Sequence, residues 1–174
     1  MVDNKHFDIS IIRPEMRIQD LKKRGEGFSL EEIKGIKKGL NTLHTLETMA
    51  VNIYKLQISR KPTELNLQLI AAMGNEMTHL QDFQVKLFEY GFRPSKLRFL
   101  YWIVGLKIGL ISRLLGSKAI LKTGIWVEKK AVRHYSELLR DIKWDEETRR
   151  IIEKNQADEE GHINRWRRLL KKSG

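Results

Sequence analysis

Glu47-Thr48-Met49-Ala50-Val51-Asn52-Ile53-Tyr54 and Glu128-Lys129-Lys130-Ala131-Val132-Arg133-His134-Tyr135 are two copies of one pattern, E-x-x-A-V-x-x-Y. Each is followed by a second acidic motif: Asn75-Glu76-Met77-Thr78-His79 after the first copy, and Asp158-Glu159-Glu160-Gly161-His162 after the second, with Glu-to-Glu separations of 29 and 31 residues. Residues three apart on a helix share a face, so each E-x-x-H aims a carboxylate and an imidazole the same way. The pattern calls for four helices delivering Glu, Glu/His, Glu and Glu/His to one interior. A lone E-x-x-H on a charged helix is usually a solvated pair, but a solvated face has no reason to repeat two motifs at matched spacing.

The flanking sequence supplies the four helices. Ser29 and Glu32 form a capping box behind Phe28 and open a helix that should run to about residue 59, with Ile36, Leu40, Leu43, Glu47, Ala50 and Tyr54 on its inner stripe. Lys61-Pro62 breaks the chain, and a second helix is expected from about 63 to 90, ended by Gly91. Its inner side carries Leu69, Met73, Glu76, His79, Leu80 and Phe83. A third bundle helix is expected over about 117–142 with Glu128 and Tyr135 inside, and a fourth, capped by Asp145, to about 172 with Asn155, Glu159, His162 and Trp166. No stretch reads as strand. Residues 1–28 form an N-terminal arm, with Ile11, Ile12, Pro14 and the basic cluster Lys22, Lys23 and Arg24, expected to pack loosely; the bundle occupies 29–174.

Between the halves lies the most apolar stretch, Phe99 to Leu115, interrupted by Lys107 and Arg113. A bilayer span needs about 20 apolar residues, so this one should not cross a membrane. Gly105, Gly109, Ser112 and Gly116 fall on one strip. Two readings stay open: a crossover helix that lets a neighbour approach closely, or an interfacial helix lying in a headgroup region.

The chain has no cysteine, which removes disulfides, thiolate metal sites and iron–sulfur clusters. Its formal charge of +11, from 33 basic and 22 acidic residues, is spread along helix faces without a nucleic-acid-binding module, so no nucleic-acid partner is expected. An anionic membrane surface would be attracted by the same charge. Residues 1–28 lack the basic start and apolar run of a signal peptide, so the expected location is cytoplasmic, extending to a peripheral position on the inner face of the membrane. Homodimer formation is left open.

Glu47, Glu76, His79, Glu128, Glu159 and His162 are the candidate metal ligands. The set matches the known arrangement of di-iron carboxylate bundles, in which two helices each give a Glu and two each give a Glu-x-x-His. Four glutamates balance the charge of two divalent ions, which lets the loaded site be buried. Two iron ions are expected, with manganese as the rival. Tyr54 and Tyr135 follow Glu47 and Glu128, taken as the bridging-type glutamates, by seven residues. They are the candidates for a catalytic part, donating hydrogen bonds to carboxylates or lining a substrate path. Asn75 and Asp158 could each hold a histidine N–H or lie exposed, and His44 could reach the site or fill core.

Over about residues 36–166 the chain resembles the demethoxyubiquinone hydroxylase family of ferritin-like di-iron proteins. The resemblance rests on His44-x-x-Glu47-x-x-Ala50-x-x-Ile53-Tyr54, Glu76-x-x-His79, Arg93-Pro94, Leu115-Gly116, Val127-Glu128 with His134-Tyr135, and Glu159-x-x-His162. It implies an all-α, ferritin-like four-helix bundle with an apolar crossover helix between the second and third bundle helices. It also implies a monooxygenase that uses O2 to hydroxylate a prenylated quinol ring in ubiquinone biosynthesis at a membrane surface; the electron donor is not implied. Where the family usually has D-H-A-G-E, this chain has Leu43-His44-Thr45-Leu46-Glu47. A rubrerythrin-like or ferritin-like oxidase, peroxidase or iron-handling role is the alternative.

Overall fold

The computed structural model describes residues 18–172, so Ile11, Ile12 and Pro14 of the arm lie outside the described residues. After a 3-10 turn at Ile18–Asp20 come five helices: α1 (Leu30–Gln57), α2 (Glu64–Glu89), α3 (Arg98–Leu114), α4 (Ser117–Asp141) and α5 (Glu146–Lys172). There is no strand among the described residues.

The helix boundaries have local causes. Ser29 Oγ accepts from the Glu32 amide at 3.2 Å while the Glu32 carboxylate accepts from the Ser29 amide at 2.7 Å, the capping box expected at α1. Thr63 caps α2 through the Asn66 amide, and Asp145 caps α5 through the Thr148 amide. Gly91, at φ 71°, closes α2: the Phe92 amide reaches back to the Leu87 carbonyl and the Gly91 amide to that of Phe88.

α1 and α2 form one helical hairpin and α4 and α5 the other. Two apolar clusters fill the bundle, one around Ile36, Leu40, Phe83, Leu87, Tyr135 and Ile152, the other around Tyr54, Leu69, Leu121, Trp166 and Leu169. Along every one of these four helices the E-x-x-A or E-x-x-H motif falls between the two clusters. The polar layer is therefore sealed by hydrocarbon at both ends.

α3 packs on α1 and touches α4. A Cβ at Gly105 would stand 2.5 Å from the Met49 carbonyl oxygen, and one at Gly109 2.6 Å from that of Ile53. Gln57 Nε2 donates to Ser112 Oγ at 2.8 Å. Gly116 has a different task from the strip it was grouped with: at φ 92° it makes the turn into α4. The opposite side of α3 is bare, with Phe99, Trp102, Ile111 and Leu114 exposed. Close approach to a neighbour and an uncovered apolar face are thus both properties of this helix.

The arm is not loose where it is described. Arg24 reaches Glu89 at 2.5 Å, Asp145 at 2.6 Å and Glu147 at 2.7 Å, and its amide donates to the Glu89 carbonyl. Lys86 is buried beside it on Glu89 and Glu147. The expectation of loose packing fails because a charge cluster carries no hydrophobic period, yet a buried guanidinium bridging three carboxylates fixes the chain firmly.

Candidate metal centre

Glu47, Glu76, His79, Glu128, Glu159 and His162 are all buried at one level of the bundle. They fall into two groups, Glu47, Glu76, His79, Glu159 and Glu76, Glu128, Glu159, His162, and in each the ligating atoms lie within 4.8 Å of one another. The groups share Glu76 and Glu159. Glu47 and Glu128, expected as the bridging-type glutamates, each belong to one group.

Both histidines turn Nδ1 toward the carboxylates. His79 Nδ1 lies 3.1 Å from Glu159, 3.7 Å from Glu76 and 3.9 Å from Glu47. His162 Nδ1 lies 3.1 Å from Glu76, 3.3 Å from Glu159 and 3.4 Å from Glu128. Among the described residues nothing completes this set: both Glu76 oxygens, Glu128 Oε2, Glu159 Oε2 and both His162 ring nitrogens are buried without a hydrogen-bond partner there. Buried acceptors so placed cost several kcal/mol unless a cation satisfies them. Oxygen and imidazole donors converging from four helices fit divalent metal ions.

The charges respond as crowding requires. Burial, reinforced by Glu76 and Glu159, raises Glu47 well above the usual carboxyl range, and burial with Glu159 lifts Glu128 to about 8. Burial also presses Glu76 upward, but His162 and His79 outweigh it and hold Glu76 low. Burial opposes charge on the imidazoles, yet Glu159 and Glu76 raise His79 to about 11, and Glu128, Glu159 and Glu76 raise His162 to about 12.

The surrounding shell sorts the remaining candidates. Tyr135 on α4 donates to Glu47 Oε1 at 2.6 Å, and Tyr54 on α1 donates to Glu128 Oε1. Each tyrosine thus serves the glutamate of the opposite hairpin, not that of its own helix. Trp166 Nε1 donates to Tyr54 Oη at 3.3 Å, a contact that sequence spacing did not signal. Asp158 meets His79 Nε2 at 3.2 Å, which leaves Nδ1 facing the ligand cluster. Asn75 does not reproduce this on His162, whose Nε2 has no partner. His44 stays outside the cluster, with Nε2 on Gln84 Oε1 at 3.1 Å.

A cavity of about 210 Å³ lies between α1 and α4, reaching Glu47, Glu76 and Glu128 and walled by Ala50, Tyr101 and Trp126. Tyr101 belongs to the exposed face of α3, so the cavity opens beside that face.

The family model described as ubiquinone biosynthesis protein COQ7 matches residues 35–168. The chain is 26% identical over 162 residues to the 3-demethoxyubiquinol 3-hydroxylase of Legionella pneumophila (strain Lens), covering 89% of this chain and 76% of that protein. It is 31% identical over 122 residues to the 3-demethoxyubiquinol 3-hydroxylase of Acidovorax sp. (strain JS42), covering 68% and 59%. It is 28% identical over 126 residues to the mitochondrial NADPH-dependent 3-demethoxyubiquinone 3-hydroxylase of Dictyostelium discoideum, covering 70% and 58%. A match across most of the chain, spanning all four candidate ligand motifs, makes this protein a member of the ubiquinone biosynthesis protein COQ7 family.

Proposed function

We propose that the chain is a di-iron monooxygenase that hydroxylates the ring of a demethoxyubiquinol-type quinol in ubiquinone biosynthesis. The observation that carries this reading is the doubled Glu/His cluster with its unsatisfied buried atoms, set against an apolar cavity. The relatives' names supply the reaction class, a ring hydroxylation. They do not favour the oxidase, peroxidase or iron-handling alternative.

Glu47, Glu76, His79 and Glu159 would hold one ion and Glu76, Glu128, Glu159 and His162 the other. Iron is preferred to manganese because the family chemistry is oxygenation; carboxylate and imidazole accept either. When bound, the irons supply activation of O2. One oxygen atom enters a ring C–H bond and the other leaves as water, with two electrons and two protons from a reductant. The relative from Dictyostelium is named NADPH-dependent, so a reduced nicotinamide is the donor to try first.

The chain's own groups do the positioning. Tyr135 and Tyr54 fix Glu47 and Glu128 by hydrogen bonds across the bundle. Asp158 holds the His79 ring. The two apolar clusters exclude water from both ends of the polar layer. A quinol ring would enter through the cavity beside Tyr101 and Trp126, its prenyl tail lying along exposed apolar side chains of α3. No described helix is long and apolar enough to cross a membrane, and α3 is read as a peripheral contact with an anionic lipid surface.

The test is direct. Protein loaded with ferrous ion and given a demethoxyubiquinol, reductant and O2 should yield the hydroxylated quinol. Sustained iron oxidation with no organic product would return the chain to the oxidase or iron-handling class.

A further inference from the structure

Among the described helices, the outward side of α2 stands apart. Leu67, Ile70, Gly74, Met77 and Phe88 are exposed along it, with Gln81 and Gln84 completing the row. The steps between these seven positions are 3, 4, 3, 4, 3 and 4 residues. That is the a/d period of a helix seam that packs against a second helix, sustained for three heptads, or roughly 32 Å at 1.5 Å per residue. Every exposed residue from Leu67 to Phe88 is uncharged, in a chain with 55 charged residues among 174. Leu67, Ile70, Met77 and Phe88 are 63, 45, 54 and 64% exposed, so the row is not hidden by the fold.

Gly74 strengthens the point. Mid-helix glycine costs about 1 kcal/mol relative to alanine. Gly39, Gly105, Gly109 and Gly124 each have a neighbour that a Cβ would meet at 3.0 Å or closer, whereas a Cβ at Gly74 would meet nothing within 4 Å. Gly35 and Gly161 are also open, but neither stands in an uncharged row. Nothing described in this chain requires the gap that Gly74 leaves in the α2 surface.

We propose that this row is the interface between two copies of the chain, packed α2 against α2 about a twofold axis. Charge selects the occupant. A chain with formal charge +11 repels its own copy across most of its surface, and a twofold contact brings identical patches together. The α2 row is where two copies can meet without opposing like charges. An antiparallel pair whose twofold axis passes between Gly74 and Met77 sets each Met77 against the gap at Gly74 of the other copy. α2 packs on α1 and α5 whereas α3 packs on α1 and α4, so this seam is a separate surface from the apolar face of α3.

Sedimentation equilibrium of the full chain, without detergent or lipid, should give twice the 20.5 kDa chain mass. Met77→Glu and Ile70→Glu should each weaken self-association about 100-fold or more by opposing like charges, with helix content and thermal midpoint of the monomer retained. The chain has no cysteine, so Met77→Cys carries one thiol, and a short bis-maleimide should join two copies through it while Leu30→Cys, exposed at the start of α1, stays unjoined. Should a charged variant aggregate, the cross-linking pattern decides alone. A wild-type chain that is monomeric at every concentration overturns the proposal, as does a dimer that survives both charged variants. A dimer lost on Trp102→Ser and kept on Met77→Glu places the contact on α3 and also overturns it.

Discussion

The Tyr135 hydroxyl on α4 donates a 2.6 Å hydrogen bond to Glu47 on α1, and Tyr54 on α1 returns the same bond to Glu128 on α4. The repeated E-x-x-A-V-x-x-Y motif thereby has a structural use: each copy supplies a candidate ligand to one half of the site and the donor that orients the candidate ligand of the other half. A buried carboxylate that loses such a donor costs about 1–3 kcal/mol.

Tyr135→Phe should therefore lower stability by about 1–3 kcal/mol and reduce hydroxylation without abolishing metal uptake. Tyr54→Phe should cost more, because Trp166 Nε1 loses its acceptor in the same step. Urea denaturation of both variants, with and without metal, checks the order. Equal stability of Tyr54→Phe and wild type would mean that these bonds contribute nothing.

Protons offer a second measurement. His79 and His162 keep a proton up to about 11 and 12 in the metal-free cluster, Glu47 keeps its own above the usual carboxyl range, and Glu128 titrates at about 8. A metal ion must displace these protons, so the sign is fixed: affinity rises with pH, by up to about one log unit per pH unit for each proton released. Titration calorimetry at pH 7 in two buffers of unlike ionisation heat should find proton release on binding. Binding that is independent of pH between 6 and 8 would sink the assignment of the imidazoles as ligands.

Much of this was legible in the sequence. Ser29-x-x-Glu32, Lys61-Pro62 and Gly91 mark helix ends by local chemistry, and the spacing of Glu47, Glu76, Glu128 and Glu159 puts all four on buried stripes. What sequence did not carry is the partner across the bundle. Helical periodicity says that Tyr54 shares a face with Glu47, but the hydroxyl reaches past its own helix to Glu128. Which glutamates are shared between the two groups depends likewise on how the hairpins face each other. Arg24 escaped because a residue between elements has no period to reveal its burial, and Lys86 because one of its two carboxylate partners, Glu147, comes from a distant helix.

Arg24 joins the arm to the end of α2 and the start of α5, with only 9% of its side chain exposed. Arg24→Met would leave the buried Glu89 carboxylate with only Lys86 and the Lys22 amide as partners and should destabilise the fold by about 2–4 kcal/mol. The Arg24–Glu89 pair, 9% and 3% exposed, is shielded from salt, so most of the loss should persist at high ionic strength. A cost that vanishes in high salt would mark it as a surface interaction.

Gly105 and Gly109 set the distance between α3 and α1. A methyl group at either would meet a backbone oxygen at 2.5 or 2.6 Å, and a backbone oxygen cannot move aside as a side chain can. Gly105→Ala should cost about 1–3 kcal/mol as α3 is pushed off α1. Gly161→Ala, with nothing within 4 Å, should instead stabilise by up to about 1 kcal/mol. Thermal denaturation of the two variants should move in opposite directions.

The bare side of α3 sets the last expectation. Phe99, Trp102, Ile111 and Leu114 form an apolar surface on a chain of charge +11, and Lys107 can extend its ammonium toward headgroups while its stem lies on hydrocarbon. A helix lying in the interface gains from both apolar burial and attraction to anionic lipid, and the second contribution amounts to about 1 kcal/mol for each basic residue near the surface. Flotation should recover the chain with anionic vesicles in preference to neutral ones, and salt should lower that recovery. Trp102→Ser should weaken it without disturbing the fold, because Trp102 is 40% exposed and its substitution opens no cavity in the core. Equal recovery with neutral and anionic vesicles, or none lost on Trp102→Ser, would leave α3 as a crossover whose apolar face serves something other than lipid.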